Sequence, residues 1–305
     1  MVLQVVDEKK NKSLVAIFWM FITGLLFVGV TGIVKHLGSE LPAAQAAFLR
    51  YVLGLVFVIP LIAIIKRAHL TKVELSFFAW RGVVHSLGVI LWFYAMTMLP
   101  MAEVTAMSYL TPVYVTIGAA LFLGERLAAL RIIAVVFAII GVLVVLRPGF
   151  REISLGHMAM IINGGLFATS YLIVKVMADK VEPLVVVGML SIFVTIGLAP
   201  WAFWVWVPPT LTQLGWTFIL AIFATAGHYT MTLALRAAPI SVTQPITFLQ
   251  LVWSILLGVL IFNESFDKWV VIGATIIILS ISFIMWREER VRKKTITPAS
   301  PETKL

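Results

Sequence analysis

The sequence predicts an all-α integral membrane protein in which ten transmembrane helices form two inverted five-helix repeats. Three observations lead to this prediction: an apolar composition, ten apolar segments of spanning length, and an internal repeat. Hydrophobic residues make up 61% of the 305 residues and charged residues 12%, whereas soluble domains usually carry about 25% charged residues. Most of the chain is therefore expected to lie in lipid, as helices that satisfy their own backbone hydrogen bonds.

Ten segments are long and apolar enough to cross a bilayer, which requires roughly 20 residues. Two of the connections between them consist of little more than Leu99-Pro100 and Ala238-Pro239, so the helices that they join must be antiparallel neighbours. The predicted spans are residues 14–34, 42–65, 77–98, 101–122, 130–147, 156–177, 183–204, 215–235, 240–261 and 269–286.

The distribution of Lys and Arg predicts the orientation. With the N-terminus inside, sixteen of the 23 Lys and Arg residues fall on the inner side and four on the outer side. Cytoplasmic loops carry such an excess, so both termini are predicted to be cytoplasmic in a cell inner membrane. The predicted organisation is a cytoplasmic N-terminal segment (1–13), two repeats (14–147 and 156–286) and a disordered cytoplasmic tail (287–305).

The repeat becomes visible when the sequence is shifted by 139 residues, which aligns two segments without a gap. The aligned pairs include Pro100 with Pro239, Ser108 with Thr247, Thr111 with Gln250, and Glu125 with Glu264. A shift of 140 places Lys35 on Lys175. Each half then holds five spans, and because five is odd the second half enters the membrane upside down. Such repeats are typical of secondary transporters, whose substrate site lies near the midplane between the halves.

The repeated segments resemble the EamA domain of the drug/metabolite transporter superfamily over about residues 14–287. The resemblance lies in Tyr94-Ala95-Met96, Leu99-Pro100, Leu110-Thr111-Pro112 and the run LFLGERL at 121–127, and more weakly in Ala237-Ala238-Pro239, Pro245 and residues 260–264. It implies ten helices in two inverted halves around a central cavity. It also implies transport, without ATP, of amino acids, nucleotide-like molecules or vitamins.

Polar residues on spans four and nine are the first candidates for a substrate pathway, because polar groups at membrane depth usually face a cavity or a partner. They are Ser108 and Thr111 on span four, and Thr243, Gln244, Thr247 and Gln250 on span nine. Hydrogen bonding between helices is the alternative role for such side chains. Tyr94 and Trp253 are added as rings that stack on a flat substrate or, alternatively, pack against lipid and helices.

Four ionisable residues within spans complete the candidate pathway: Arg50, His85, Glu103 and His228. Arg50 lies about eight residues into span two, roughly 12 Å deep, and is predicted to meet an anionic substrate group or to pair with Glu103. The two histidines bind substrate, accept a proton or pack against a carbonyl. Glu103 is expected at the mouth or helix start, where the helix dipole favours a carboxylate.

Several classes of protein are disfavoured by what the sequence lacks. It contains no cysteine, no His-Glu-x-x-His pair and no phosphate-binding Gly-rich loop, and no ring of charges typical of a channel. We therefore predict a transporter and not an enzyme, with no cofactor and no metal, and keep a membrane-embedded enzyme as the alternative class. The expected partners are a small-molecule substrate and the lipid bilayer but no nucleic acid, and the chain is expected to be a monomer or weak homodimer.

The neutral and aromatic pathway candidates favour a flat, weakly charged substrate. Within the family that the chain resembles, riboflavin importers have such a substrate, so riboflavin uptake is the leading prediction. S-adenosylmethionine or amino-acid transport is the alternative. Because few ionisable groups lie within the spans, we expect facilitated transport or exchange and not proton coupling.

Overall fold

A computed structural model describes residues 2–38, 40–124, 129–150, 152–177, 181–238, 243 and 246–296. The elements in these ranges are α-helices, with short 3₁₀ segments at Leu55–Phe57 and Ile59–Leu61. The helices are α1 (Val2–Leu37), α2 (Ala43–Gly54), α3 (Ile62–Arg67), α4 (Lys72–Met98), α5 (Met101–Ser108), α6 (Thr111–Leu123), α7 (Ala129–Leu146), α8 (Leu155–Met177), α9 (Pro183–Trp204), α10 (Leu211–Ala237), α11 (Leu249–Phe262) and α12 (Lys268–Ile296).

Seven helical segments in the described part of the chain are long and apolar enough to cross a membrane. They lie in α1, α4, α5 with α6, α8, α9, α10 and α12. An eighth is formed by α2 and α3 if this pair, bent by 54° at the 3₁₀ segments, is one span. Two shorter apolar helices, Ile132–Leu146 and Leu249–Phe262, overlap the predicted fifth and ninth spans. The chain is thus a helical multi-pass membrane protein.

The C-terminal end of α12 differs from the sequence prediction. The helix continues to Ile296, into the segment 287–305 that was predicted to be a disordered tail, and residues 297–305 lie outside the described part of the chain. The sequence WREERVRKK at 286–294 consists largely of Arg, Glu and Lys, which are strong helix formers. These residues extend an apolar helix beyond the end of its apolar run.

The two halves start corresponding helices in the same way. Thr71 precedes α4 and its hydroxyl accepts from the Glu74 backbone N–H (3.3 Å), while the Glu74 carboxylate accepts from the Thr71 N–H (2.8 Å). Thr210 and Gln213 form the same capping box before α10. The two motifs are separated by the 139 residues of the repeat alignment, so each half fixes the start of this helix by identical local hydrogen bonding.

Helix packing follows the same correspondence. The alignment equates α1 with α8 and α4 with α10, and the structure packs α1 along α10 and α8 along α4. It also packs α2 against α9 and α7 against α12. In each of these pairs, a helix of the first half packs against its equivalent in the second half. The α7–α12 crossing depends on Gly141 and Gly273: a Cβ on Gly141 would lie 2.7 Å from the Gly273 carbonyl oxygen. Small residues allow membrane helices to approach this closely.

The helical region between Met101 and Leu123 is broken at its centre. The N–H groups of Tyr109 and Leu110 bond three residues back (3.2 and 3.0 Å), and α6 then begins at Thr111. Pro112 cannot donate a backbone hydrogen bond and its ring crowds the carbonyl of Ser108, which accounts for the break. The repeat alignment places Tyr109 on Phe248, the residue that precedes α11, and these two rings meet edge-to-face at 5.6 Å.

Candidate functional site

Three helices are tied together at the end of the bundle where α1 finishes, which we call the Lys35 end. The Glu264 carboxylate lies 2.9 Å from Lys35 Nζ and accepts a 2.9 Å hydrogen bond from the Met101 backbone N–H. Lys35 Nζ also donates to the Leu99 carbonyl (2.7 Å). These groups, which we call the Glu264 latch, join the ends of α1 and α11 to the start of α5.

The local chain path delivers Glu264 to the latch. Asn263 ends α11 in the left-handed conformation (φ 52°), and the Glu264 N–H then bonds back to the Gly258 carbonyl (2.9 Å). The chain therefore turns over the end of its own helix. A Cβ on Gly258 would collide with the Glu264 carboxylate, so a larger residue there would displace this carboxylate from the latch.

A second layer of contacts lies deeper between α5 and α11. Thr105 Oγ1 donates to Ser254 Oγ (3.0 Å), and both residues are buried. Further in, the Tyr109 hydroxyl donates to the Thr247 carbonyl (3.4 Å), beside the Tyr109–Phe248 ring contact. The two helices are consequently closed against each other from the Lys35 end to the break at Tyr109.

A cavity of about 340 Å³ opens outside this closure. Its polar lining consists of Glu103, Glu152, Ser154, His157, Glu264, Ser265 and Asp267. Asp267 forms an ion pair with Arg147. Among the described residues, no group of three His, Cys, Asp or Glu side chains is placed to hold a metal ion.

Glu103 lies in the first turn of α5, where sequence analysis expected it, and is buried. Its carboxylate is 2.9 Å from His157 Nε2. His157 Nδ1 accepts from the Ser154 backbone N–H (3.0 Å), so Nε2 carries a proton and donates it to Glu103. Glu103 was predicted to pair with Arg50 as one alternative; its carboxylate meets His157, and the Arg50 guanidinium lies over the Tyr51 ring.

A group of basic side chains lies in the interior, where helices of the two halves meet. This group, the basic cluster, consists of Arg50 on α2, Arg81 and His85 on α4, and His228 on α10. Arg50 and Arg81 lie within electrostatic range of both imidazoles. The cluster combines three predicted pathway residues with Arg81.

Arg81 lies near the start of α4, but its side chain is held inside the protein and is 7% exposed. Its Nε donates to Ser170 Oγ (3.2 Å) and its Nη1 to the Val186 carbonyl (3.3 Å). His85 Nδ1 lies 3.2 Å from the same Ser170 hydroxyl, and its ring stacks on Phe167 at 4.8 Å. These partners on α8 and α9 hold the guanidinium inside.

Arg50 and His228 are the more open members of the cluster. The Arg50 guanidinium lies 4.1 Å from the centre of the Tyr51 ring and has no ion pair with a carboxylate of the described residues. His228 is exposed, and Tyr171 is 54% exposed. Phe27 lies edge-on to His228 at 5.2 Å.

The two pathway residues predicted on span four expose little of their side chains. Thr111 is buried, and the Ser108 hydroxyl donates to the Val104 carbonyl within its own helix (2.8 Å). Tyr94 is half-buried on α4, and its carbonyl accepts from Thr97 (2.7 Å).

On the predicted ninth span, Gln250 and Trp253 are both half-buried. The Gln250 amide makes no hydrogen bond with a described residue, and the Trp253 indole N–H is buried without a partner there. Thr243 is fully buried, and Thr247 contributes its carbonyl to Tyr109. The predicted site residue Gln244 lies outside the described residues.

The fold and this polar interior define the class: a helical membrane protein with ionisable side chains enclosed between its two halves. The family model of the EamA-like transporter family matches residues 14–147 and 154–286. The chain belongs to this family, as the resemblance of its repeated segments implied.

Curated relatives with two different named substrates cover most of the chain. A riboflavin transporter of Rhizobium johnstonii is 27% identical over 93% of this chain and 95% of its own length. An S-adenosylmethionine uptake transporter of Rickettsia prowazekii is 27% identical over 84% of this chain and 87% of its own. A riboflavin transporter of Vibrio cholerae is 24% identical over 93% and 98%. A solved crystal structure matches 90% of this chain with a TM-score of 0.59 at 16% identity, which supports the fold alone.

Proposed function

We propose that this chain is a secondary transporter of ten spans in two inverted repeats, which carries a small organic metabolite across the inner membrane by alternating access. Both termini are cytoplasmic in this proposal, and the Lys35 end faces outward. The observation that carries it is the closure of α5 against α11 at one end of a bundle in which a basic cluster draws on helices of both halves. A carrier needs such an arrangement because its central site must be shut off from one side at a time.

The repeat predicts where the opposite closure forms. Glu125 aligns with Glu264 and Lys175 with Lys35, so the second closure is proposed at the opposite end of the bundle, where the first half carries the same pair of charges. The matching capping boxes and helix pairs of the two halves support this symmetry.

Transport is proposed to occur by facilitated diffusion or by exchange of solutes. It requires no cofactor and does not change the solute chemically. A proton-coupled carrier generally needs an ionisable group that substrate and proton both sense. Glu103 meets His157 outside the closure formed by α5 and α11, which fits a structural role for this carboxylate.

Riboflavin is the leading substrate, since relatives named as riboflavin transporters cover more than nine tenths of this chain. S-adenosylmethionine remains the second candidate because relatives of similar identity carry that name. The two solutes differ in charge: riboflavin is a neutral, flat, carbonyl-rich ring system, and S-adenosylmethionine contains a sulfonium cation. The positive side chains in the interior favour riboflavin.

Uptake into proteoliposomes tests the function. Purified protein should take up labelled riboflavin with saturable kinetics, at an unchanged final level when a pH gradient is imposed, and the recovered solute should be unmodified. Vesicles without protein are the control. Non-saturating flux would indicate a channel, a modified product would indicate an enzyme, and uptake of S-adenosylmethionine alone would select the second substrate.

Gln250→Ala should raise the KM for uptake about fivefold, the effect of one lost hydrogen bond to the solute, while expression and membrane insertion remain normal. Because the half-buried Gln250 amide has no described partner, its removal should change the stability of helix packing little. Thr275→Ala, an exposed polar position on α12, is the matched control and should leave KM unchanged. Wild-type kinetics in Gln250→Ala would assign this residue to helix packing.

A further inference from the structure

We infer that the basic cluster is the solute-recognition site and that it takes the anionic or carbonyl-rich edge of a flat solute while rejecting cations. This inference rests on the proposed transport function and adds the chemical class of the solute. It depends on Arg50, Arg81, His85 and His228 together, and on the rings around them.

The first step concerns charge. Arginine stays protonated in proteins, so Arg50 and Arg81 bring two positive charges into the same interior region. No ion pair joins either guanidinium to a carboxylate of the described residues, and Arg81 is held by a hydroxyl and a carbonyl. A charged side chain within the membrane is costly unless it faces a partner or a water-filled cavity. A solute that supplies electron-rich oxygens would provide that partner.

The second step concerns the available donors. The Arg81 guanidinium and the Ser170 hydroxyl are already engaged with each other, whereas the five N–H donors of Arg50 have no described hydrogen-bond acceptor. The planar fork of arginine suits a carboxylate or a pair of neighbouring carbonyl oxygens, which it binds through two parallel hydrogen bonds. Arg50 is therefore the principal contact, and Arg81 adds positive potential behind it.

The third step concerns shape. Phe167 stacks on His85, and Phe27 lies edge-on to His228, so an aromatic ring accompanies each imidazole. Tyr171, which follows Ser170 on α8, exposes more than half of its surface. These rings suit a flat aromatic body whose acceptor-bearing edge points to Arg50.

The fourth step concerns position. Arg50, Arg81 and His85 belong to the first half of the chain, whereas His228 belongs to the second. A solute held by both halves senses their relative movement, as a carrier requires. A role of Arg50 in packing on Tyr51 alone would instead predict a loss of stability without any change in charge selectivity.

A charge series of otherwise similar aromatic probes tests the inference. The probes are 2-naphthylacetate, 2-naphthylacetamide and 2-naphthylmethylammonium, titrated into the purified full-length protein in nanodiscs. The anion should bind most tightly, the amide less tightly, and the cation at least about tenfold more weakly than the anion, as expected for a lost charge-assisted hydrogen bond plus repulsion.

Arg50→Gln should reduce anion affinity about tenfold and leave cation affinity unchanged or improved. Arg50→Lys keeps the charge but loses the fork, and should bind the anion with intermediate affinity. Arg67→Gln, at an exposed position on α3, is the matched control and should resemble the wild type. Arg50→Lys also keeps the test decisive if Arg50→Gln does not fold.

Equal binding of anion and cation by the wild type, no binding of any probe, or an unchanged anion-to-cation ratio in both Arg50 variants would overturn the inference. Riboflavin and S-adenosylmethionine uptake is measured separately on the same preparations. If the charge series holds but neither solute is transported, the recognition site stands and the proposed substrates are wrong.

Discussion

Glu264→Ala should open the Lys35 end of the bundle and reduce uptake at least about tenfold, since a partly buried charge pair that loses one partner leaves the other charge uncompensated. The Glu264 carboxylate serves both Lys35 Nζ and the Met101 N–H. Without it, α1 and α11 are no longer tied to the start of α5. The carrier would then leak or favour its outward-open state.

Thiol labelling measures this opening directly, because the chain contains no cysteine and needs no background substitutions. Ala102→Cys places one thiol in the lining of the Lys35-end cavity. A membrane-impermeant maleimide should label it faster in Glu264→Ala than in the parent protein. Glu152→Ala removes an exposed carboxylate from the same cavity without touching the latch, and should change neither labelling nor uptake. Equal labelling in all three proteins would contradict the latch.

A disulfide between Thr105→Cys and Ser254→Cys should stop uptake almost completely, and reduction should restore it. The two hydroxyl oxygens are 3.0 Å apart, so cysteines there should meet with little backbone movement. The bond would fix α5 against α11 in the closed arrangement, and alternating access requires these helices to separate.

Each single cysteine variant, oxidised in the same way, is the matched control and should retain uptake. Formation of the bond is verified by mass spectrometry of the digested protein. A fully cross-linked protein that still transports at the parent rate would show that α5 and α11 do not separate during transport.

The helices were largely predictable because lipid imposes a simple rule of length and polarity on each span. Breaks within spans were less predictable. Pro112 accounts for the break between α5 and α6, but span two was predicted to be continuous, and in the structure it bends at 3₁₀ segments that include Pro60. A missing backbone donor weakens the helix there. Hydropathy averages over such a position and does not detect it.

The candidate site was less predictable than the helices because its contacts join residues far apart in the chain. The repeat alignment marked both Glu264 and Lys35, and yet nothing local to either residue indicates that they form an ion pair. The burial of Arg81 depends on acceptors from Ser170 and Val186, which lie on two other helices. His157 was missed because only histidines deep within spans were weighed, and its partner Glu103 lies on another helix.

Counterflow in proteoliposomes tests the carrier mechanism most directly. Vesicles that contain the purified protein are loaded with unlabelled riboflavin, diluted into buffer with a trace of labelled riboflavin, and followed over time. An alternating-access carrier should accumulate label transiently above equilibrium. Unlabelled solute inside the vesicle returns the site to the outside, where it takes up label. The same unlabelled solute competes with label for the inward-facing site and so slows the exit of label. Protein-free vesicles and the cross-linked variant should show no overshoot. Label that equilibrates without overshoot, at a rate proportional to its concentration, would contradict the proposed mechanism.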